Sequence, residues 1–296
     1  MTLPGTTLAL DIGGTKMLAA LVEGSAVVET FGMPTPSSGG PKDWLEALFA
    51  QVAPWHGRYD RVGVAVTGIV DDGHWSALNK KTLDIPDRFP LTETISALTA
   101  LPAFAANDAQ AAAWGEHRFG AGAGGDMIFL TISTGIGGGV ILDGRLLQGI
   151  AGHFGLLRVQ DFEHAAASDS ATEDHISGNW IAGMAAGRRP GATARDVFEA
   201  MDGGERWAEE IVALSARRAA LLCRNVQLAF DPPRIVIGGG IGLAPGYLER
   251  VEACLADVPQ RLRPKPFPAR LGDKAGVVGI ADLAKNQRDN ERGSAT

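Results

Sequence analysis

A chain of 296 residues with 45% hydrophobic and 21% charged side chains is long for one core and suits two lobes of ordinary domain size. Its net charge of −7 argues against a broad surface for nucleic acid or anionic membrane, although backbone amides and a metal ion can still grip an anion locally. The opening MTLPGTTLALDIGG has no basic segment, its apolar run is cut by Asp11, and no run of 18 apolar residues follows, so a cytoplasmic protein without signal peptide or membrane span is expected.

In chain order, apolar runs at 6–12 and 17–22 flank a glycine turn and predict a hairpin. Trp44, Leu45, Leu48, Phe49 and Val52 recur at helical spacing and predict a helix over 42–53. RVGVAVTG at 61–68 reads as a buried strand ending at a glycine, and 92–101 as a helix. PAFAAND at 102–108 predicts a short strand running into the helix QAAAWGEHR, with Asn107 or Asp108 as its cap. The glycine-rich FGAGAGGD at 119–126 marks a lobe boundary. Beyond it, apolar runs at 127–133 and 139–143 again flank a glycine turn, and 160–172 is polar and loop-like. A long amphipathic helix is predicted over 204–230. A strand, RIVIGGG, follows at 234–240, with helices at 243–257 and 275–285 and a polar tail expected to fray. The expected division is a small lobe over 1–118, onto which a C-terminal helix at 281–296 packs back, and a large lobe over 119–280. LALDIGGTKMLAALV and FLTISTGIGGGVILDG share a strand–turn–strand pattern, one copy in each half, which suggests two similar lobes facing a shared cleft. Cys223 and Cys254 sit in helix-like segments and read as free thiols, too few for a structural zinc site.

Three glycine turns carry the candidate chemistry. Asp11-Ile12-Gly13-Gly14-Thr15-Lys16 can bring backbone N–H groups close to a phosphate, with a hydroxyl from Thr15 and a cation from Lys16. Asp11 could hold Mg²⁺ directly or through water. A plain hairpin turn explains the same residues. In the second turn, Ser133-Thr134-Gly135-Ile136-Gly137-Gly138-Gly139, hydroxyls take the place of the carboxylate. The third, Gly238-Gly239-Gly240-Ile241-Gly242, opens a helix, where a phosphate is favoured and bare glycines leave room for adenine. No G-x-x-x-x-G-K-[ST] occurs, and no glycine turn has the spacing of a dinucleotide fold. Asp108 stands where a buried strand becomes a helix. A carboxylate there can accept a hydroxyl proton during phosphoryl transfer, or it can simply belong to a helix cap.

Together these residues resemble the ROK family of sugar kinases over roughly Leu8 to Ala284. LALDIGGTK and STGIGGGV look like its two phosphate motifs, NDAQAAAWGE like its catalytic-aspartate segment, and RIVIGGGIG like its adenosine motif, all in the family's order. VTGIVDDGHWSALN, with Thr67-Gly68 where glucokinases carry Pro-Gly, resembles the family's N-acetylmannosamine branch. The resemblance implies an α/β, actin-like or hexokinase-type ATPase fold, two lobes with mixed sheets around a central cleft. It implies transfer of phosphate from ATP, with Mg²⁺, to the 6-hydroxyl of N-acetylmannosamine, as in sialic acid catabolism. N-acetylglucosamine, glucose or another hexose is the alternative substrate, and a non-catalytic sugar-binding protein the other reading. On this resemblance Asp108 is the base. Gly68, Asn79, Asn107, Asp108, His153 and Glu173 bind sugar. Asp11, Gly13, Gly14, Thr15, Lys16, Thr134, Gly135, Gly137, Gly239 and Gly240 serve ATP, with Asp11 toward magnesium. The family's repressors add a DNA-binding segment before the first motif; only seven residues precede Leu8, so none is expected. A homodimer is implied, with sugar and ATP as its small-molecule partners, and neither nucleic acid nor membrane.

One segment departs from the family. AGHFGLLRVQDFEHAAASDSATEDHISG, 151–178, occupies the place of a zinc loop bound by a histidine and three cysteines. Leu156 stands at that histidine's position and the segment has no cysteine, so zinc is not expected. Packing of Phe154, Leu156, Leu157 and Phe162 is expected to hold the loop instead. Asp161, Glu163, His164, Asp169 and His175 are the alternative, a different metal cluster.

Overall fold

Thr6–Ile12 (β1) and Lys16–Glu23 (β2) pair antiparallel with Ile12 opposite Met17, so the chain turns within Gly13–Thr15, between the two apolar runs. The computed structural model describes residues 5–78, 83–158 and 170–293, with side chains as far as Asn286. The chain separates into two compact units, residues 1–119, 146–150 and 273–296 forming one, and 120–145 and 151–272 the other.

In the first unit, Ala26–Pro34 (β3) extends the hairpin as an outer strand. It is largely exposed, and the charge of Glu29 and the terminal Pro34 suit an edge that must not recruit another sheet. Helix α1, Pro41–Gln51, begins with the Asp43 carboxylate accepting from Gly40 N at 2.8 Å, and it buries Trp44, Leu45 and Leu48. Arg61–Val66 (β4) joins β1 in parallel and is buried at every position, which explains its unbroken apolar run. Three short strands, Ile69–Asp71 (β5), His74–Ser76 (β6) and Phe89–Pro90 (β7), form a separate small sheet. Helix α2, Leu91–Thr99, leads to Ala103–Asn107 (β8), which closes a sheet of order β3-β2-β1-β4-β8, and Asp108–Phe119 (α3) follows without a break.

The second unit repeats the pattern. Met127–Ile132 (β9) and Ile136–Leu142 (β10) pair antiparallel, with Arg145–Leu146 (β11) at the edge. Helices α4 (Glu173–Ile176), α5 (Gly178–Ala185), α6 (Ala194–Asp202) and α7 (Arg206–Phe230) precede Ile235–Gly238 (β12), which joins β9 in parallel. Helices α8 (Gly239–Gly242) and α9 (Tyr247–Leu255) and strand β13 (Pro266–Pro268) complete a sheet of order β11-β10-β9-β12-β13. The expected helix over 243–257 is shorter, beginning only at Tyr247 after a turn that ends in Gly246 at φ +75° and stopping at Leu255. The expected second glycine turn is also shorter than its glycines suggest. Gly137, Gly138 and Gly139 lie inside β10, because a side chain on Gly138 would strike the carbonyl of Phe129 at 2.2 Å and the ring of Phe154 at 2.7 Å.

The chain then returns to the first unit as α10, Ala275–Gly293, longer than the predicted 275–285. It lies against α3 so closely that a Cβ on Gly115 would sit 2.4 Å from Ala275 O, and one on Gly279 only 1.8 Å from Ala111 O. Trp114 Nε1 and Arg118 Nε of α3 both donate to Asp282 Oδ2 of α10, at 2.8 and 3.1 Å. Each unit has its own apolar core, one around Leu8, Leu10, Val62 and Val64 and the other around Ile128, Leu130, Ile235 and Val212. Each fully buried aliphatic side chain contributes about 1.5–3 kcal/mol. No helix among the described residues is long and apolar enough to cross a membrane.

Candidate active site

The first unit gathers its candidate residues at the ends of β1, β4 and β8, which lie side by side in the sheet. Asp11 pairs with Leu18 across the hairpin and with Ala65 of β4, one residue before β1 ends. The turn after it is tightly pinned. Gly13 N donates to Lys16 O at 3.0 Å, and Thr35 Oγ1 donates to Gly13 O at 2.7 Å. Gly14 sits at the tip of this turn, where Thr15 and Lys16 are exposed. At the end of β4, Gly68 adopts φ +113°, and a Cβ there would lie 2.6 Å from Ser76 O. Trp75 Nε1, donating to Thr67 O at 2.8 Å, fixes this corner.

Asn107 and Asp108 end β8 and begin α3. Asn107 is 6% exposed and already well used. Its Oδ1 accepts from Ala109 N and Gln110 N at 2.9 and 3.2 Å, and its Nδ2 donates to Gly68 O at 2.9 Å. Asn107 is thus the cap of α3 and the link to the β4 corner. Asp108, half-buried at the first helical position, accepts from Ala109 N at 2.7 Å. Its charge reaches Asp11. Burial, then repulsion from Asp108, raises the Asp11 pKa from 3.8 to about 6, while Lys16 pulls it down. Asp11 keeps some solvent access, yet loss of hydration outweighs both charges. A carboxylate held this way fits a divalent cation, whose charge would offset both the lost water and the repulsion. Asn79 lies outside the described residues.

The second unit holds the remaining residues. Ser133 N donates to Gly135 O at 2.9 Å, closing the turn before β10. Gly178 N and Asn179 N then donate to Ser133 O and Thr134 O at 2.7 and 3.2 Å, so the start of α5 is fastened to that turn. Gly239 follows β12 at φ +85°, where a Cβ would lie 2.4 Å from Ile132 O, and Gly240 faces open space. Between these turns lies a cavity of about 670 Å³, lined by Ser133, Thr134, Asn179, Phe198, Gly240 and Ile241 among others. Sequence reading found its two glycine turns but not Asn179 or Phe198, which come from α5 and α6. The Thr193-x-x-Asp196 box at the start of α6 was the available signal, for Thr193 Oγ1 accepts from Asp196 N at 3.3 Å.

Glu173 opens α4 and packs on the second turn. Its Oε2 accepts from Ile136 N at 3.4 Å and lies 2.9 and 3.2 Å from where Cβ atoms on Gly135 and Gly155 would stand. Gly137 follows one residue further along β10. His153 is half-buried and starts the single helical turn Phe154–Leu156. The expected apolar packing of the departing segment is only partly present. Phe154 is 6% exposed, but Leu156 and Leu157 are 40% and 46% exposed, because the chain leaves this turn extended to pair Arg158 with Ala171. Phe162, and Asp161, Glu163, His164 and Asp169 of the alternative metal cluster, lie outside the described residues. His175 Nε2 is within 2.8 Å of Ser170 Oγ, and no group of three metal-ligating side chains occurs among the described residues.

The model of the ROK family matches residues 7–287. This chain is a member of the ROK family. Its relatives include the Bifunctional enzyme NanE/NanK of Brucella melitensis, 46% identical over 277 residues, which cover 94% of this chain and 53% of that one. The ROK chain therefore spans about half the length of that relative. The N-acetylmannosamine kinase of Escherichia coli is 40% identical over 289 residues, with 96% of this chain and 99% of that one covered. Among solved structures, a ROK family glucokinase from Streptomyces griseus, in complex with glucose and AMPPNP, superposes with a TM-score of 0.80 at 32% identity. That superposition covers 95% of this ROK chain and 100% of the glucokinase, and the α/β fold with mixed sheets is the one shared with ROK hexokinase-type kinases.

Proposed function

We propose that this ROK protein transfers the terminal phosphoryl group of ATP to the 6-hydroxyl of N-acetylmannosamine, a step of sialic acid catabolism. The observation that carries the reading is the pair of acids at strand ends on either side of β4, Asp108 at the head of α3 and Asp11 beside the first glycine turn, near enough for one to raise the pKa of the other. Asp108 accepts the proton as O6 attacks the phosphorus, and ADP leaves. Gly68, Asn79, Asn107, Asp108, His153 and Glu173 bind the sugar. Because Asn107 already serves the cap and Gly68, one amide hydrogen remains for a sugar hydroxyl. Gly13, Gly14, Thr15 and Lys16 hold phosphate, as do Thr134, Gly135 and Gly137, and the 670 Å³ cavity by Gly239 and Gly240 takes the adenosine. Asp11 would hold Mg²⁺, which neutralises phosphate charge when bound.

Relatives named N-acetylmannosamine kinase at 40% identity support the choice of sugar. A coupled ADP-release assay comparing N-acetylmannosamine, N-acetylglucosamine and glucose by kcat/KM tests it, and preference for either of the others overturns it. Leu156, exposed where the family carries a sugar-facing histidine, is the feature that favours a second reading, a kinase with another hexose as substrate. An apolar wall discriminates hydroxyls weakly. We further propose a cytoplasmic homodimer without zinc. Stoichiometric zinc by elemental analysis would overturn the latter.

A further inference from the structure

Helix α4 is four residues long, too short to persist by its own hydrogen bonds, yet it carries Glu173. Its first turn is held locally. Asp174 Oδ2 accepts from Ala171 N at 2.9 Å, and Thr172 N donates to Leu157 O at 2.8 Å. Its last carbonyls are satisfied from elsewhere. Arg218 Nη1 donates to His175 O at 3.0 Å, and Ser215 Oγ donates to Ile176 O at 2.8 Å, both from α7. Ser215 and Tyr247 are fully buried, with their hydroxyls 2.8 Å apart. Since the single hydroxyl hydrogen of Ser215 goes to Ile176, Tyr247 must donate to Ser215. Burial raises the Tyr247 pKa, which keeps that proton in place. The Arg218 guanidinium also lies over the Trp180 ring of α5, 4.9 Å from its centroid.

We infer that Arg218 and Ser215, with Tyr247 behind Ser215, are positioning residues that set Glu173 against Gly135, Ile136 and Gly155. The inference rests on reading Glu173 as a sugar-binding residue. The Glu173 carboxylate lies beside Gly135 and Gly155 and accepts from Ile136 N, so a shift of α4 moves it off that contact. The guanidinium suits the task better than an ammonium, because its planar face stacks on Trp180 while its edge donates to the carbonyl. The clamp is built of side chains on α7 and α9.

The experiment is sugar and ATP kinetics, below the melting temperature, on Arg218→Ala, Arg218→Lys, Ser215→Ala, Glu173→Ala and the double variant Arg218→Ala/Glu173→Ala. Arg218→Ala is expected to raise KM for N-acetylmannosamine about ten-fold while KM for ATP moves less than about two-fold, with Arg218→Lys in between. In the Glu173→Ala background the Arg218→Ala change is expected to add nothing. A lowered Tm with unchanged sugar KM for both Arg218→Ala and Ser215→Ala would overturn the inference. So would an undiminished effect in the Glu173→Ala background. If Glu173→Ala alone leaves sugar KM unchanged, the reading of Glu173 itself fails. Should Arg218→Ala not fold, Arg218→Lys and Tyr247→Phe carry the same test.

Discussion

Asn107 Nδ2 donates to the carbonyl of Gly68 at 2.9 Å, which ties the head of α3 to the corner that ends β4. The same side chain caps α3 through its Oδ1. Asn107→Ala therefore removes a cap and leaves a buried carbonyl short of a donor, and it should destabilise the protein by about 1–3 kcal/mol. Urea unfolding gives that figure. Because Asp108 follows directly, kcat should fall as well, and an unchanged kcat would show that the cap does not aim the acid.

Asp108→Asn keeps the size and the contact to Ala109 N but cannot take a proton. Sugar binding by calorimetry should persist, while turnover falls by about 10²–10⁴-fold. Undiminished turnover would remove Asp108 from the role of base.

Asp11 has a pKa of about 6 in the folded chain, against 3.8 without its surroundings. Between those values the folded state holds a proton that the unfolded state has released, so stability falls as pH rises from 3.8 to about 6. Above that window the ionised group costs up to about 3 kcal/mol. Asp11→Asn should raise Tm at pH 7.5 and give no gain at pH 3.5 or below, while impairing catalysis. Thermal melts across this range decide it, and a pH-independent difference would mean that the charge is not what is strained.

Gly135 and Gly155 flank one carboxylate but differ in what else a methyl group would meet. On Gly135 it would meet only Glu173 Oε2, at 2.9 Å, a group at the end of a flexible side chain. On Gly155 it would meet the backbone carbonyl of Ile136 at 2.3 Å. Gly135→Ala should thus fold nearly as well as the parent, within about 1 kcal/mol, and raise sugar KM. Gly155→Ala should lose about 2 kcal/mol or more. Chemical denaturation beside kinetics separates the two, and equal destabilisation would contradict the geometry.

The hairpin of β1 and β2 was legible because strict apolar runs flank Gly13 and Gly14, and α7 because its apolar residues recur over seven turns' worth of helix. β3 escaped notice, since Glu29, Thr30 and its other exposed positions hide any alternation. Strands as short as Phe89–Pro90 have no period to read. At the site, Asp11, Asn107 and Asp108 could be named from strand ends alone. The double use of Asn107 could not, because Gly68 is 39 positions away in sequence. The exposure of Leu156 and Leu157 was equally hidden, for apolar identity says nothing of which way a chain leaves a turn.

The glycine crossing of α3 and α10 has a consequence for the order of events at the ribosome. Strands β1, β4 and β8 precede the second unit in the chain, but the helix that lies against α3 follows it. Until it arrives, apolar surface on the first unit stays open, and the helix bearing Asp108 lacks its backing. The first unit therefore cannot complete its packing until the second unit, which lies between its two halves in sequence, has been synthesised.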